Sequence, residues 1–175
     1  MMQFLQNRLM EIFGLWLFVI SGLLLIVLIT AGKNDPSFNQ VSTAPVANWL
    51  GPIGANISAG LYAVIGLASF FLALVPLFWG LSYFRKQPVP WMRFRIMFLP
   101  LSLCFLAAGL FAFDGGGASD NGGAAGAVII GMIMRVMQPI PSFMGLETIH
   151  YVGGAALFFG LLSWLWVVAI SPQQW

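Results

Sequence analysis

The sequence predicts an all-α integral membrane domain: four transmembrane helices plus a short outer-leaflet or periplasmic helix. Three observations carry that expectation. Of 175 residues, 60% are apolar and 7% charged, whereas a soluble domain has roughly a quarter of its residues charged. The apolar residues collect into runs near the roughly 20 residues that a helix needs to cross the hydrocarbon core. The densest basic cluster, Arg85, Lys86, Arg93 and Arg95, sits in one short connector without an acidic residue.

The first expected span covers residues 12–31. It is too long for the apolar core of a cleavable signal peptide, so it reads as an uncleaved span. Lys33, Asn34, Asp35 and Pro36 close it, and a polar, turn-rich loop extends to Ser58. Asp35-Pro36-Ser37 is a turn or helix-start signal, and its simplest role is to stop the first span. Gly51-Pro52-Ile53-Gly54 adds helix-breaking residues, and Trp49 suits the membrane interface. The second span is expected over 59–83, kinked at Pro76 by the missing backbone donor. Gly60, Gly66 and Gly80 offer it small faces for neighbouring helices. The third covers 94–113, with Arg95 snorkelling from its start to the headgroups. Asp114 and Gly115-Gly116-Gly117 follow it. A helix over 122–137 is too short to cross the roughly 30 Å core, and Gln138-Pro139-Ile140-Pro141 terminates it. The last span is expected over 148–170, with Trp164 and Trp166 near its end. Residues 1–175 thus read as one membrane domain.

Orientation follows from charge. Cationic residues in short loops mark the cytoplasmic side, which puts Arg85, Lys86, Arg93 and Arg95 inside. Both termini are then inside, and both long loops outside. Arg8 agrees, partly balanced by Glu11, and Lys33 and Arg135 are outnumbered exceptions. The four connector residues are also placed to meet anionic lipid.

Little in the sequence points to chemistry, and no catalytic, cofactor-binding or metal site is expected. A net charge of +2 is too small to argue for nucleic-acid binding. The single cysteine, Cys104, excludes an intrachain disulfide and a cysteine-built zinc site, and reads as a small buried hydrophobe. Glu147 and His150 share one face of a helix start. A metal would need further ligands, so an interfacial hydrogen-bonded pair is the simpler reading. Asp114 and Asp120 lie in a glycine-rich stretch that lacks the rigid, dry setting of acid-base catalysis. No Gly-Lys-Ser or Gly-Lys-Thr occurs, so the phosphate-cradling loop of nucleotide-binding proteins is absent. Gly122 and Gly126 are four apart, and Ala127 with Gly131 extends the pattern, which permits close helix packing. A small transporter or channel is the competing class. Broken helices at Pro76 and Pro100, with Glu147 and His150, would line its path, but ionisable residues deep in the spans are nearly lacking. A membrane-embedded enzyme lacks any nucleophile–base pair.

The chain resembles the N-terminal four-helix membrane domain of the FtsK/SpoIIIE-type bacterial DNA translocases. The resemblance rests on the long first span followed by Asp35-Pro36-Ser37-Phe38. Asn48, Gly51, Gly54 and Ala55 come next, before the second span. Gly122-Gly123 and Gly126 then open the short helix, Gln138-Pro139 follows it, and the last span is rich in tryptophan. The order matches from about Ile12 to Ile170. Phe38 stands where tryptophan is common, and Ser58 where an acidic residue is often found. The family's linker and ATP-driven motor have no counterpart here, so either an excised membrane domain or a stand-alone relative is expected. The resemblance implies anchoring at the division septum, contacts with divisome membrane proteins and a homo-oligomer, hexameric by resemblance. It implies no nucleotide or nucleic-acid contact by these residues. Asp35, Asn48 and Gly51 are expected to shape the first loop, and Gly122, Gly126 and Gly131 to pack helices closely.

Overall fold

The apolar run after Glu11 propagates as helix in both directions. In the computed structural model, α1 occupies Met2–Ile29, so the polar lead continues the same helix. The structure describes residues 2–87, 89–114, 121–137 and 148–168. After α1 come α2 (Gly51–Ile65), a 3-10 turn (Gly66–Ala68), α3 (Ser69–Phe84), α4 (Met92–Phe113), α5 (Gly123–Met137) and α6 (Thr148–Val167). Among the described residues the one extended pairing is an isolated bridge between Ser37 and Gln40. Four segments are long and apolar enough to cross a membrane: Phe4–Ile29, Gly51–Phe84, Met92–Phe113 and Thr148–Val167. Gly123–Met137 is apolar but shorter. The domain is all-helical and multi-pass.

The second segment departs from the sequence expectation. Helix begins at Gly51, not after Ser58, because Pro52 falls in the first turn, where its missing N–H has no helical partner to lose. The interruption lies at Gly66–Ala68 rather than at Pro76, and α3 runs through Pro76 to Phe84. Gly66 adopts φ 57° and ψ −137°, a conformation open to a residue without Cβ. The Leu67 amide, released from the helix, donates to the Asn121 carbonyl at 2.8 Å. Unbroken, this 34-residue segment would be about 50 Å long, well beyond the roughly 30 Å core. The break lets α3 run along α1 while α2 meets the end of α1 through Tyr62, whose hydroxyl reaches the Leu28 carbonyl.

Two antiparallel pairs form the body. In the first, Gly14 of α1 meets Gly80 of α3 backbone to backbone, and the Ser21 hydroxyl donates to the Ala73 carbonyl at 2.7 Å. In the second, α4 and α6 pack through Gly109 on Leu157, Gly153 on Ala112 and Gly160 on Leu106. Lipid tails are as apolar as leucine, so close packing and hydrogen bonds, not water exclusion, join helices here. The pairs meet across large side chains. Trp164 of α6 stands edge-on to Phe71 and Phe78 of α3, and its Nε1 donates to the Phe71 carbonyl at 3.0 Å. The Trp79 Nε1 donates to the Val167 carbonyl at 2.9 Å.

Helix α5 lies over the loop end of α4. Gly122 and Gly126 rest on the Ala107 carbonyl and Phe111, and Ile130 is buried with Ala108, Ala112 and Ala156. Outward faces such as Leu15, Trp16 and Val19 on α1, or Phe158, Phe159 and Leu162 on α6, remain exposed. That much contiguous apolar surface suits a bilayer and not water.

Candidate functional site

Two clusters at opposite ends of the bundle gather the polar residues that matter most. At the loop end, Asp35 is buried and accepts three backbone amides: Ala47 at 2.7 Å, Gly32 at 3.1 Å and Asn48 at 3.1 Å. Those amides, Ala47 foremost, hold its carboxyl below the usual aspartate range against the opposing effect of burial. Asn48, also buried, donates Nδ2 to the Val27 carbonyl at 2.8 Å and accepts the Leu50 amide at 3.1 Å. A Cβ on Gly54 would collide with the Asn48 side chain, so that position must stay small for Asn48 to sit there.

The same network completes the end of α1. The last carbonyls of a helix lack intrahelical donors. Here Val27 accepts Asn48 Nδ2 at 2.8 Å and Leu28 accepts the Tyr62 hydroxyl at 3.0 Å, while Ile26, already bonded to the Thr30 amide at 3.0 Å, also takes the Thr30 hydroxyl at 2.7 Å. Asp35, Ser37 and Asn48 therefore belong to one folded loop rather than to scattered turns, and Gly51 and Gly54 join it from the first turn of α2. Asp35 makes a turn and does not start a helix. Ser37 exchanges backbone hydrogen bonds with Gln40 at 3.0 and 3.1 Å, Pro36 lies between Asp35 and Ser37, and the Phe38 amide donates to Asn56 Oδ1 at 2.8 Å. Beside the loop is a cavity of about 320 Å³ whose lining includes Lys33, Asp35, Asn39, Gln40 and Tyr62. The Phe38, Val41, Trp49 and Ile53 side chains stand exposed around this end.

At the opposite end, Glu11 of α1 pairs with Arg8 at 2.8 Å and with Lys86 at 3.2 Å. The connector thereby gains an acidic neighbour that its own sequence lacks. Arg85 caps α3, and Arg93 is exposed in the first turn of α4. Arg95 corrects the sequence expectation. It does not snorkel: it is 7% exposed, donating Nε to the Pro90 carbonyl at 2.8 Å and Nη1 to the Val167 carbonyl at 3.3 Å. Its guanidinium lies 4.8 Å from the Trp166 ring centroid. Val167 ends α6, so its carbonyl is one of the groups a cation can satisfy. Arg95 and Trp79 converge on it, tying α3, α4 and α6 together.

The three glycines expected to pack helices divide. Gly122 and Gly126 are spent against α4, whereas a Cβ on Gly131 would meet nothing within 4 Å. Asp114, expected to be solvated, has Oδ2 buried without a hydrogen-bond partner, as has His150 Nδ1. The His150 ring packs against Phe113. Glu147, Asp120, Gln138 and Pro139 lie outside the described residues. Among the described residues no three metal-ligating side chains come together. Sequence reasoning missed Gly14, Gly109 and Gly160, single glycines without a repeating motif, and it missed Trp79, which lies within a span.

The comparisons agree with this architecture. The family model described as the 4TM region of DNA translocase FtsK/SpoIIIE matches residues 6–171. The DNA translocase FtsK of Azospirillum brasilense is 28% identical over 179 residues, covering 98% of this chain and 27% of the relative. That of Rickettsia typhi is 34% identical over 103 residues, covering 59% of this chain and 13% of the relative. That of Caulobacter vibrioides is 39% identical over 64 residues, covering 37% and 8%. The chain thus spans about a quarter or less of the curated relatives it matches, and the match lies in their membrane region, not their motor. No solved structure matches. With four apolar crossings and a family match over nearly its whole length, the chain belongs to the 4TM-region family of the FtsK/SpoIIIE DNA translocases.

Proposed function

We propose that this domain anchors a cell-division DNA translocase in the bacterial inner membrane, tethering its motor at the division septum. In this reading it contacts divisome membrane proteins and helps gather copies into a homo-oligomer, a hexamer by resemblance to the family. The observation that carries the proposal is the continuous match over residues 6–171 to a membrane region whose relatives are named DNA translocases. Both termini are proposed to be cytoplasmic, supported by the cationic connector. Asp35, Asn48 and Gly54 would act by holding the first outer loop in one shape, so that Phe38, Val41, Trp49 and Ile53 are presented together. Gly131, left open between exposed Val128 and Met132, is the member of its trio still available to a neighbouring copy.

A fluorescent fusion of the full chain in dividing bacteria tests the anchoring role. Enrichment at midcell is expected, and an even distribution around the membrane would refute it. Orientation is read separately in a Cys104→Ser background. Val41→Cys should react with an impermeant maleimide on intact cells, and Gln87→Cys only after permeabilisation. The reverse pattern would overturn the proposed topology.

A further inference from the structure

We propose that the start of α4 is a binding site for one anionic phospholipid, with the phosphate against Arg93 and an acyl chain along Trp91, Phe94, Phe98 and Trp166. This goes beyond the anchoring role and rests only on the chain lying in a bilayer. Those four side chains line an open groove of about 260 Å³ on the surface of α4 and α6. A second depression, of about 320 Å³, is lined by Trp91, Met92, Arg93 and Phe94. The two share Trp91 and Phe94, so the apolar groove adjoins a depression that Arg93 helps to line.

Charge decides the occupant. Residues 85–95 contain no carboxylate. Lys86 is paired with Glu11, whereas Arg93 is exposed and makes no ion pair among the described residues. Arg95 lies buried behind the groove, fixed by its two carbonyl acceptors and stacked on Trp166, and adds positive potential to the aromatic wall. A zwitterionic lipid would bring a cation to this depression, and a neutral helix would leave Arg93 unmatched. An anionic phosphate with an apolar tail satisfies both halves.

Trp91 supports the assignment independently. It holds φ 57° and ψ 32°, the left-handed region, which is unfavourable for a bulky L-residue. The conformation leaves its indole 71% exposed and 5.8 Å from the Phe94 ring, on the rim between groove and depression. Indole at the junction of tail and headgroup is its preferred membrane depth.

The test uses the purified full chain in a neutral detergent, with binding followed by native mass spectrometry. Dioleoyl phosphatidylglycerol, dioleoyl phosphatidylcholine and glycerol phosphate are the probes. Phosphatidylglycerol should bind about tenfold or more tighter than phosphatidylcholine, the scale of one charge-assisted contact. Glycerol phosphate should not compete at the same concentration. Arg93→Gln should abolish the preference. Trp91→Gly should weaken phosphatidylglycerol binding about as much while folding at least as well, because glycine suits the left-handed backbone. Equal binding of the two lipids overturns the proposal without recourse to any variant. So does full competition by glycerol phosphate, which would mean a phosphate site without a chain groove. Wild-type preference in Arg93→Gln, or wild-type binding in Trp91→Gly, overturns it as well.

Discussion

Replacing Gly14 by alanine probes whether α1 and α3 are joined by backbone approach. A Cβ at Gly14 would lie 2.8 Å from the Gly80 carbonyl oxygen, 3.0 Å from the Phe84 nitrogen and 3.4 Å from its Cα. All three are main-chain atoms of α3, so none can rotate aside. Non-bonded carbon contacts are optimal at about 3.5–4.0 Å, so the helices must part by about half an ångström or more. A gap of that size forfeits about a quarter to a half of each dispersion contact along the seam. Overpacking of this kind costs about 1–3 kcal/mol, while alanine's better helix propensity returns up to about 1 kcal/mol. The net expectation is destabilisation by up to about 3 kcal/mol. Gly22 on the same helix is the control: a Cβ there meets nothing within 4 Å, so Gly22→Ala should be neutral or stabilising by up to about 1 kcal/mol. Gly14→Ala with Gly80→Ala should be less than additive, because the first methyl already opens the space. Unfolding by sodium dodecyl sulfate in mixed micelles, followed by tryptophan fluorescence, measures the wild type, the three single variants and the double variant. If Gly14→Ala proves as stable as Gly22→Ala, the seam is not sterically closed and the reasoning fails.

Two further outcomes are expected in the same assay. Trp79→Phe keeps most of the ring but removes the Nε1 donor to Val167, and should cost about 1 kcal/mol; an unchanged midpoint would show that Arg95 alone satisfies that carbonyl. Asp35 has a folded-state pKa held down by the Ala47, Gly32 and Asn48 amides. Its stabilisation is therefore complete above the ordinary aspartate value of about 3.9 and is lost as pH falls through the lower folded-state value. The stability difference between wild type and Asp35→Asn should be largest near neutrality and shrink in acid, and a difference independent of pH would remove the charge from the account.

The membrane class and the four segments apolar enough to cross were legible in the sequence because each is a local property. Transfer of a run such as 12–31 into lipid is close to a sum over its own residues, whatever its neighbours do. The turn at Asp35-Pro36-Ser37 was legible for a similar reason, being set by short-range chemistry. What Asp35 holds was not, since the Ala47 and Asn48 amides arrive from twelve and thirteen positions away. The break in the second segment was placed at Pro76 because proline announces itself, whereas Gly66 matters only once Asn121 is present to accept the Leu67 amide. Arg95 reads in one dimension as a charge seeking the interface. Its burial depends on the end of α6, 72 residues later, and on the Trp166 face beside it. Residues alone determined which segments are long and apolar enough to cross a bilayer. Which glycines close a seam, and which carbonyl a buried cation reaches, was decided only when the helices packed, because those energies belong to pairs of atoms far apart in the chain.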